Sequence, residues 1–293
     1  MKYAFFPGCK IPSFQPQYDT STRLVLGSLG VDLVDAEFNC CGYPVRHLDY
    51  FSYIFSAARN LALAAGQGLN LLTPCKCCYG SLTKARHVLA ENHELRKRVN
   101  QVLAEEGLEY TGKPEVRHLL QVLYHDLGLE KIKKSVSRPF DAPRIAVHYG
   151  CHALRPSNIM DFDNPYNPRK FDELVEATGA VSVVLPKKIQ CCGNPLWEKN
   201  NELSMLVAGR RLNDARDAGA DYICVACTYC QIQFDSVQEI MLLRNRVQTP
   251  LPSILYPQLL GLSMGFSEQE LGLDLAGISS GKITVFQKFA ESA

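Results

Sequence analysis

A chain of 293 residues with 31 basic and 30 acidic side chains carries a net charge of +1, so no field of one sign favours nucleic acid or a membrane surface as its main partner. Pro7-Gly8 interrupts the N-terminus before a signal-peptide core can form, and no run of about 18 apolar residues follows, so a cytoplasmic protein without direct membrane insertion is expected. In that compartment twelve cysteines point to metal binding or redox chemistry rather than to structural disulfides.

In chain order, Lys2 to Phe6 reads as a buried strand that Pro7-Gly8 stops, delivering Cys9 to its C-terminal edge. Tyr18 to Leu29 is apolar at helical spacing and Gly30 ends it. Val31 to Val34 is a second strand, and Cys40-Cys41-Gly42-Tyr43-Pro44 follows in a loop. Tyr50 to Ala65 is a helix and Leu69 to Thr73 a third strand, broken by Pro74 just before Cys75. Glu91 to Glu106 reads as the solvated end of a long helix, and Leu127 to Pro143, rich in Lys and Pro, as a linker.

The plan then repeats. Arg144 to Tyr149 is a strand before Cys151, Phe171 to Thr178 a helix, and Val181 to Leu185 a strand before Cys191-Cys192-Gly193-Asn194-Pro195. Leu203 to Ala218 is a helix, and Tyr222 to Ala226 a strand running into Cys227. Val116 to Leu123 and Ile254 to Gly261 close the copies alike, each as a short helix. The tail after Gly277 offers no readable chemistry.

The cysteines define the duplication. Thirty residues separate Cys9 from Cys40-Cys41, and 33 separate that pair from Cys75 and Cys78; in the second copy the gaps between Cys151, Cys191-Cys192, and Cys227 with Cys230 are 39 and 34. The extra residues of the second copy fall at Met160 to Pro168, whose Asx and Pro content suits a loop. Each cysteine group follows a strand, and in open α/β sheets ligands bind beyond the strand C-termini, so three sequence-distant groups can converge there.

Zinc takes four ligands, whereas each copy offers five repeated thiols, two of them adjacent. Adjacent thiolates suit a polynuclear iron–sulfur cluster better than one small ion, although structural zinc and a disulfide relay stay open. Gly42 and Gly193 are expected to let the backbone approach the inorganic core and aim N–H groups at its sulfides, and Pro44 and Pro195 to stiffen the exit. His148 and His152 bracket Cys151; His152 is a candidate proton donor, with a structural role open for both. Arg46 and Arg155 are candidate anchors for carboxylate or phosphate groups of a substrate, with surface salt bridging as the alternative, and Lys187 and Lys188 for substrate or a partner protein. Cys77 and Cys224 do not correspond between copies and read as small buried residues.

On these motifs, over nearly the whole chain, the sequence resembles the CCG-domain proteins, whose type member is the B subunit of heterodisulfide reductase. The resemblance implies two tandem Rossmann-like domains, divided as 1–138 and 139–293, facing each other across a cluster-lined cleft. It implies two non-cubane [4Fe-4S] clusters, the first on Cys9, Cys40, Cys41, Cys75 and Cys78, the second on Cys151, Cys191, Cys192, Cys227 and Cys230. In the family the clusters grip a disulfide between them and split it with two electrons. The implied role is the catalytic component of a multi-protein complex, acting on a disulfide or thiol substrate with two partners, an iron–sulfur protein (the C subunit) and a flavin-containing one (the A subunit). The alternative is an electron-transfer component of a flavin- or quinone-linked dehydrogenase. Partner proteins are motivated by omission, since neither a Gly-x-Gly-x-x-Gly after a strand nor a ferredoxin-type cysteine run occurs.

Overall fold

The computed structural model describes residues 1–273, so the tail after Gly277 lies outside the described residues. Two four-stranded parallel sheets carry the two copies. The first contains β1 (Lys2–Phe5), β2 (Asp32–Val34), β3 (Asn70–Thr73) and β4 (Val116–His118) in the order β2-β1-β3-β4. The second contains β5 (Arg144–His148), β6 (Val181–Ser182), β7 (Tyr222–Val225) and β8 (Ser253–Leu255) in the order β6-β5-β7-β8. Helices cover the sheets, so the central strands are buried beyond their first residues: Ala4, Phe5, Leu71 and Leu72 in one, Ile223, Cys224 and Val225 in the other. Short uninterrupted apolar runs of this kind suit parallel strands buried on both faces.

The strand order decides where the cysteines meet. β2 lies on one side of β1, while β3 and β4 continue on the other, so the chain reverses its winding between β1 and β3. Crevices open at the carboxyl ends of strands beside such a reversal. Cys9 follows β1 and Cys75 follows β3, and in the second sheet Cys151 follows β5 and Cys227 follows β7. The Cys-Cys loops arrive from β2 and β6.

Several expectations need correction. Val116–His118 and Ser253–Leu255 are strands, each turning directly into a helix that starts at Leu119 or Tyr256. Val116-Arg117-His118 and Ser253-Ile254-Leu255 are each only three residues long, too short to show a period that would tell a strand from the start of a helix. The turn is built alike in both copies, with His118 N donating to Gln121 Oε1 at 2.9 Å and Leu255 N to Gln258 Oε1 at 3.2 Å. Glu91 to Glu106 is not one helix end: Asn92 breaks it and caps a second helix, His93–Leu103, by accepting from Leu95 N at 2.9 Å. That helix buries Val99 and Leu103, so it is half packed rather than solvated. The linker contains the helix Leu129–Ser135, which buries Ile132, and Lys131 Nζ donates to Leu29 O at 2.7 Å. Only Val181–Ser182 of the expected Val181 to Leu185 strand pairs.

The inserted loop is a loop as expected, and it is pinned. Asp163 accepts from the backbone N–H groups of Arg169 and Lys170 and from the Tyr149 hydroxyl, while Phe162 is fully buried. The two halves interlock. The helix Pro16–Ser28 packs on Tyr256–Ser263, and Gln15 Nε2 donates to Thr228 O at 3.2 Å across a buried contact.

Candidate metal centres

Each cysteine group sits at a joint of its half. The Cys40-Cys41 loop is tied to the helix Tyr50–Gly66, where Ser56 Oγ and Asn60 Nδ2 donate to Cys40 O at 2.7 and 3.2 Å. Ser81 Oγ donates to Cys41 O at 2.8 Å from the helix Lys76–Glu91. Pro74, just before Cys75, is held through its carbonyl by the Tyr18 hydroxyl at 2.6 Å and by His118 Nε2 at 3.0 Å. In the second half, Ser204 Oγ donates to Gly193 O at 3.0 Å, closing the same loop against the helix Asn201–Asp217. Cys75 and Cys227 stand at the N-termini of helices that carry Cys78 and Cys230 one turn in.

Two cavities result. Cys9, Cys40, Cys41, Cys75 and Cys78 line the first. Cys151, Cys191, Cys192, Cys227 and Cys230 line the second, together with Cys77 from the first half. Tyr43 and Tyr229 line both cavities and form the wall between them, with ring centroids 5.9 Å apart. His152 lines the second cavity at that wall, its Nδ1 3.4 Å from Cys151 Sγ and 3.5 Å from Cys77 Sγ, its ring 5.1 Å edge-on to Tyr43. A larger cleft lined by Thr83, Arg86, His87 and Arg96 is away from the cysteines.

The glycines after the two Cys-Cys pairs pack tightly against the protein itself. Gly42 (φ +80°) and Gly193 (φ +92°) adopt the left-handed conformation, and a Cβ there would strike Tyr53 O at 2.6 Å or Ser204 O at 2.7 Å. Their freedom is needed for close approach to the following helix. Gly193 N–H does point at a thiol, donating to Cys191 Sγ at 3.4 Å. The glycine packed against a thiol of the first cavity is Gly8, where a Cβ would sit 2.9 Å from Cys78 Sγ.

The thiols crowd one another enough to share protons. Contacts with Cys151 and Cys192 hold Cys191 down at about 2, and the contact with Cys191 pushes Cys151 well up. Cys227 is likewise held down by Cys230, Cys75 and Cys77, and Cys77 pushed up by Cys227. Three thiols of each set are buried, and a crowded set of this kind can lose all its protons only when positive metal neutralises it, which is the behaviour of a metal ligand set. Among the described residues, the sulfur atoms of Cys75, Cys77 and Cys227 lie within 4.8 Å of one another, as do the ligand atoms of His148, Cys192 and Cys230. His148 Nε2 is buried without a hydrogen-bond partner, and burial holds the imidazole down at about 3. An orphaned ring nitrogen aimed at cysteine sulfurs, and a Gly8 cradle that no side chain could share, fit a sulfur-bridged metal group.

The remaining candidates divide. Arg46 is half-buried, its guanidinium 3.7 Å over the Tyr43 ring and donating to Tyr43 O at 2.6 Å, so it braces the shared wall. Arg155 is exposed and lines neither cavity. Lys188 pairs with the buried Asp172 at 2.7 Å and Lys187 with Asp214 at 3.4 Å. Cys224 lies on β7, wholly inside the sheet. Sequence reasoning passed over Lys76, which is 1 % exposed, lines the second cavity and donates to Tyr149 O at 2.8 Å. Burial pulls its ammonium below the ordinary value. The available signal was that Cys75-Lys76-Cys77-Cys78 and Cys227-Thr228-Tyr229-Cys230 differ only at their inner positions.

Known proteins match this arrangement. The Cysteine-rich domain family, CCG, matches residues 3–83 and 145–235, one span per copy. The B subunit of the Ferredoxin/F(420)H(2)-dependent CoB-CoM heterodisulfide reductase of Methanosarcina acetivorans is 38% identical over 284 residues, covering 95% of this chain and 94% of that one. The 8-methylmenaquinol:fumarate reductase membrane anchor subunit of Wolinella succinogenes is 32% identical over 284 residues, covering 96% of this chain and 99% of that one. Among the described residues no helix is long and apolar enough to cross a membrane. The crystal structure of a hypothetical protein from Helicobacter pylori has the same fold, with a TM-score of 0.73 at 20% identity over 94% of this chain and 51% of that one. With one family span over each cysteine set and a heterodisulfide reductase B subunit similar over nearly its whole length, the chain belongs to the CCG cysteine-rich family of heterodisulfide reductase B-type proteins.

Proposed function

We propose that this chain is the disulfide-handling B subunit of a heterodisulfide reductase-type complex in the cytoplasm. The first of its two non-cubane [4Fe-4S] clusters is held by Cys9, Cys40, Cys41, Cys75 and Cys78, and the second by Cys151, Cys191, Cys192, Cys227 and Cys230. The halves divide at 138/139, and the partners are an iron–sulfur protein (the C subunit) and a flavin-containing one (the A subunit). One observation carries the reading: two cavities, each lined by the five repeated thiols of its own copy, share a single aromatic wall. Bound there, the clusters would supply one electron each to the two sulfurs of a disulfide, reductively or in reverse.

The chain's own residues set the stage for that exchange. Tyr43 and Tyr229 remain neutral, because burial first and the Cys77 thiol next hold both phenols well above their ordinary value. They keep water out of the space between the cavities. His152 holds or accepts a proton at Nδ1 beside Cys151 and Cys77, the position from which a departing thiolate would be protonated. Arg46, braced on Tyr43, offers its cationic edge to an anionic substituent of the substrate.

A second reading, an electron-transfer component of a quinone- or flavin-linked dehydrogenase, is favoured by the similarity to a fumarate reductase membrane anchor. Iron, acid-labile sulfide and electron paramagnetic resonance on anaerobically purified protein separate these. About eight irons per chain, with a new paramagnetic signal when the oxidised protein meets one thiol half of a candidate disulfide, supports the disulfide-handling role. Eight irons with no response to any thiol, and no disulfide reduction by the assembled complex, favours electron transfer. Zinc in place of iron refutes both.

A further inference from the structure

The two cavities are unequal, because the inner residues of the Cys-x-x-Cys motifs cross between halves. Cys77 leaves the first half and lines the second cavity, not the first. Its counterpart, Tyr229, reaches the first cavity from the second half together with Thr228. Six thiols therefore face the second cavity and five the first. Cys77 is 5 % exposed, its sulfur is within 4.8 Å of Cys227 Sγ, and His152 Nδ1 lies 3.5 Å from it. The backbone makes this reach possible. Gly80, one turn further along the same helix, meets His152 so closely that a Cβ would come within 3.0 Å of His152 O.

We infer that Cys77 is a sixth sulfur ligand of the second cluster, supplied across the interface by the first half. The inference rests on the two-cluster reading. Coordination requires only that the thiol give up its proton, with no change of oxidation state. A thiolate donor in the second cavity, opposite a phenol in the first, makes the two clusters electronically different, because ligand type and surrounding hydrogen bonds set cluster potentials. It also joins the halves through the metal, so cluster loading and docking of the halves are coupled.

The test compares wild type, Cys77→Val and Cys77→Ser as anaerobically purified holoprotein. Iron and sulfide are counted, and each paramagnetic signal is titrated for its midpoint potential. The signal that disappears in Cys192→Ser belongs to the second cluster. Cys77→Val fills the same space without a donor and is expected to shift the g-values and midpoint potential of that signal alone. Cys77→Ser, with oxygen in place of sulfur, is expected to give a third spectrum. Loss of the second signal in Cys77→Val with its retention in Cys77→Ser supports the inference equally. A Cys77→Val spectrum superimposable on wild type at full iron content would mean that the thiol only packs, and overturns it. Equal movement of both signals also overturns it. Absence of iron from wild type instead overturns the two-cluster reading itself.

Discussion

Gly42→Ala isolates the backbone geometry that shapes the first cysteine loop. The residue has φ +80°, and the added Cβ would lie 2.6 Å from Tyr53 O, 2.9 Å from Tyr53 Cδ2 and 3.0 Å from Tyr53 Cα. A non-glycine residue in the left-handed region costs about 1–2 kcal/mol. Overlap with a helix backbone, which cannot rotate away as a side-chain tip can, adds about 1–3 kcal/mol. The sum, about 2–5 kcal/mol, corresponds to a fall in Tm on the order of 10 °C for a domain of this size. Thermal unfolding followed by circular dichroism measures it, with Gly27→Ala as the control. Gly27 is helical with nothing within 4 Å of its would-be Cβ, so alanine there is expected to stabilise by about 0.5–1 kcal/mol. A Gly42→Ala protein melting within about 2 °C of wild type would show that the loop relaxes freely and that the contact with Tyr53 does not constrain it.

Cys192→Ser is expected to reduce iron from about eight to about four per chain and to abolish disulfide turnover; normal turnover at full iron content contradicts the ligand assignment. A pH effect is expected from His118, which burial holds down at about 3 against an ordinary 6.5. Its Nε2 faces Pro74 O and its Nδ1 accepts from Leu120 N, an arrangement that requires the neutral ring. Below pH 6.5 the unfolded chain takes up a proton that the folded chain refuses, so stability present above 6.5 is lost as pH falls towards 3, by about 1.4 kcal/mol per pH unit. Urea unfolding of wild type and His118→Asn at several pH values tests this, and parallel pH dependences would exclude His118 as the source.

The cysteine sets and six of the eight strands were legible because each signal is local: an apolar run, a breaker, a thiol, repeated at the same spacing. β4 and β8 were not, since Val116–His118 and Ser253–Leu255 run straight into helices and merge with them in any reading by composition. Asn92, read as part of a charged helix, proved to be a cap, which a single polar residue announces only weakly. At the site, the groups that face the cavities within each half could be anticipated from the repeat. The groups that cross between halves could not, because nothing in the spacing says which way Lys76, Cys77 and Tyr229 point once the halves dock. His148 shows the same limit: the offset of 142 that pairs Cys9 with Cys151 pairs His148 with Phe6, and only the fold reveals an unpartnered nitrogen where the other copy has a phenyl ring.

The bond from Lys76 to Tyr149 O spans 73 residues of sequence. The Tyr149 and Phe171 rings that cover the Lys76 ammonium also belong to the second half, so docking both buries this charge and supplies the acceptor that a buried ammonium requires. The corner carrying Cys75 and Cys78 is therefore expected to take its final packing when the strand ending at His148 docks. A gene cut between the copies would not give two small metalloproteins, each with half the metal. It would give two fragments, each lacking a wall residue that the other supplies, Tyr229 to the first cavity and Cys77 to the second.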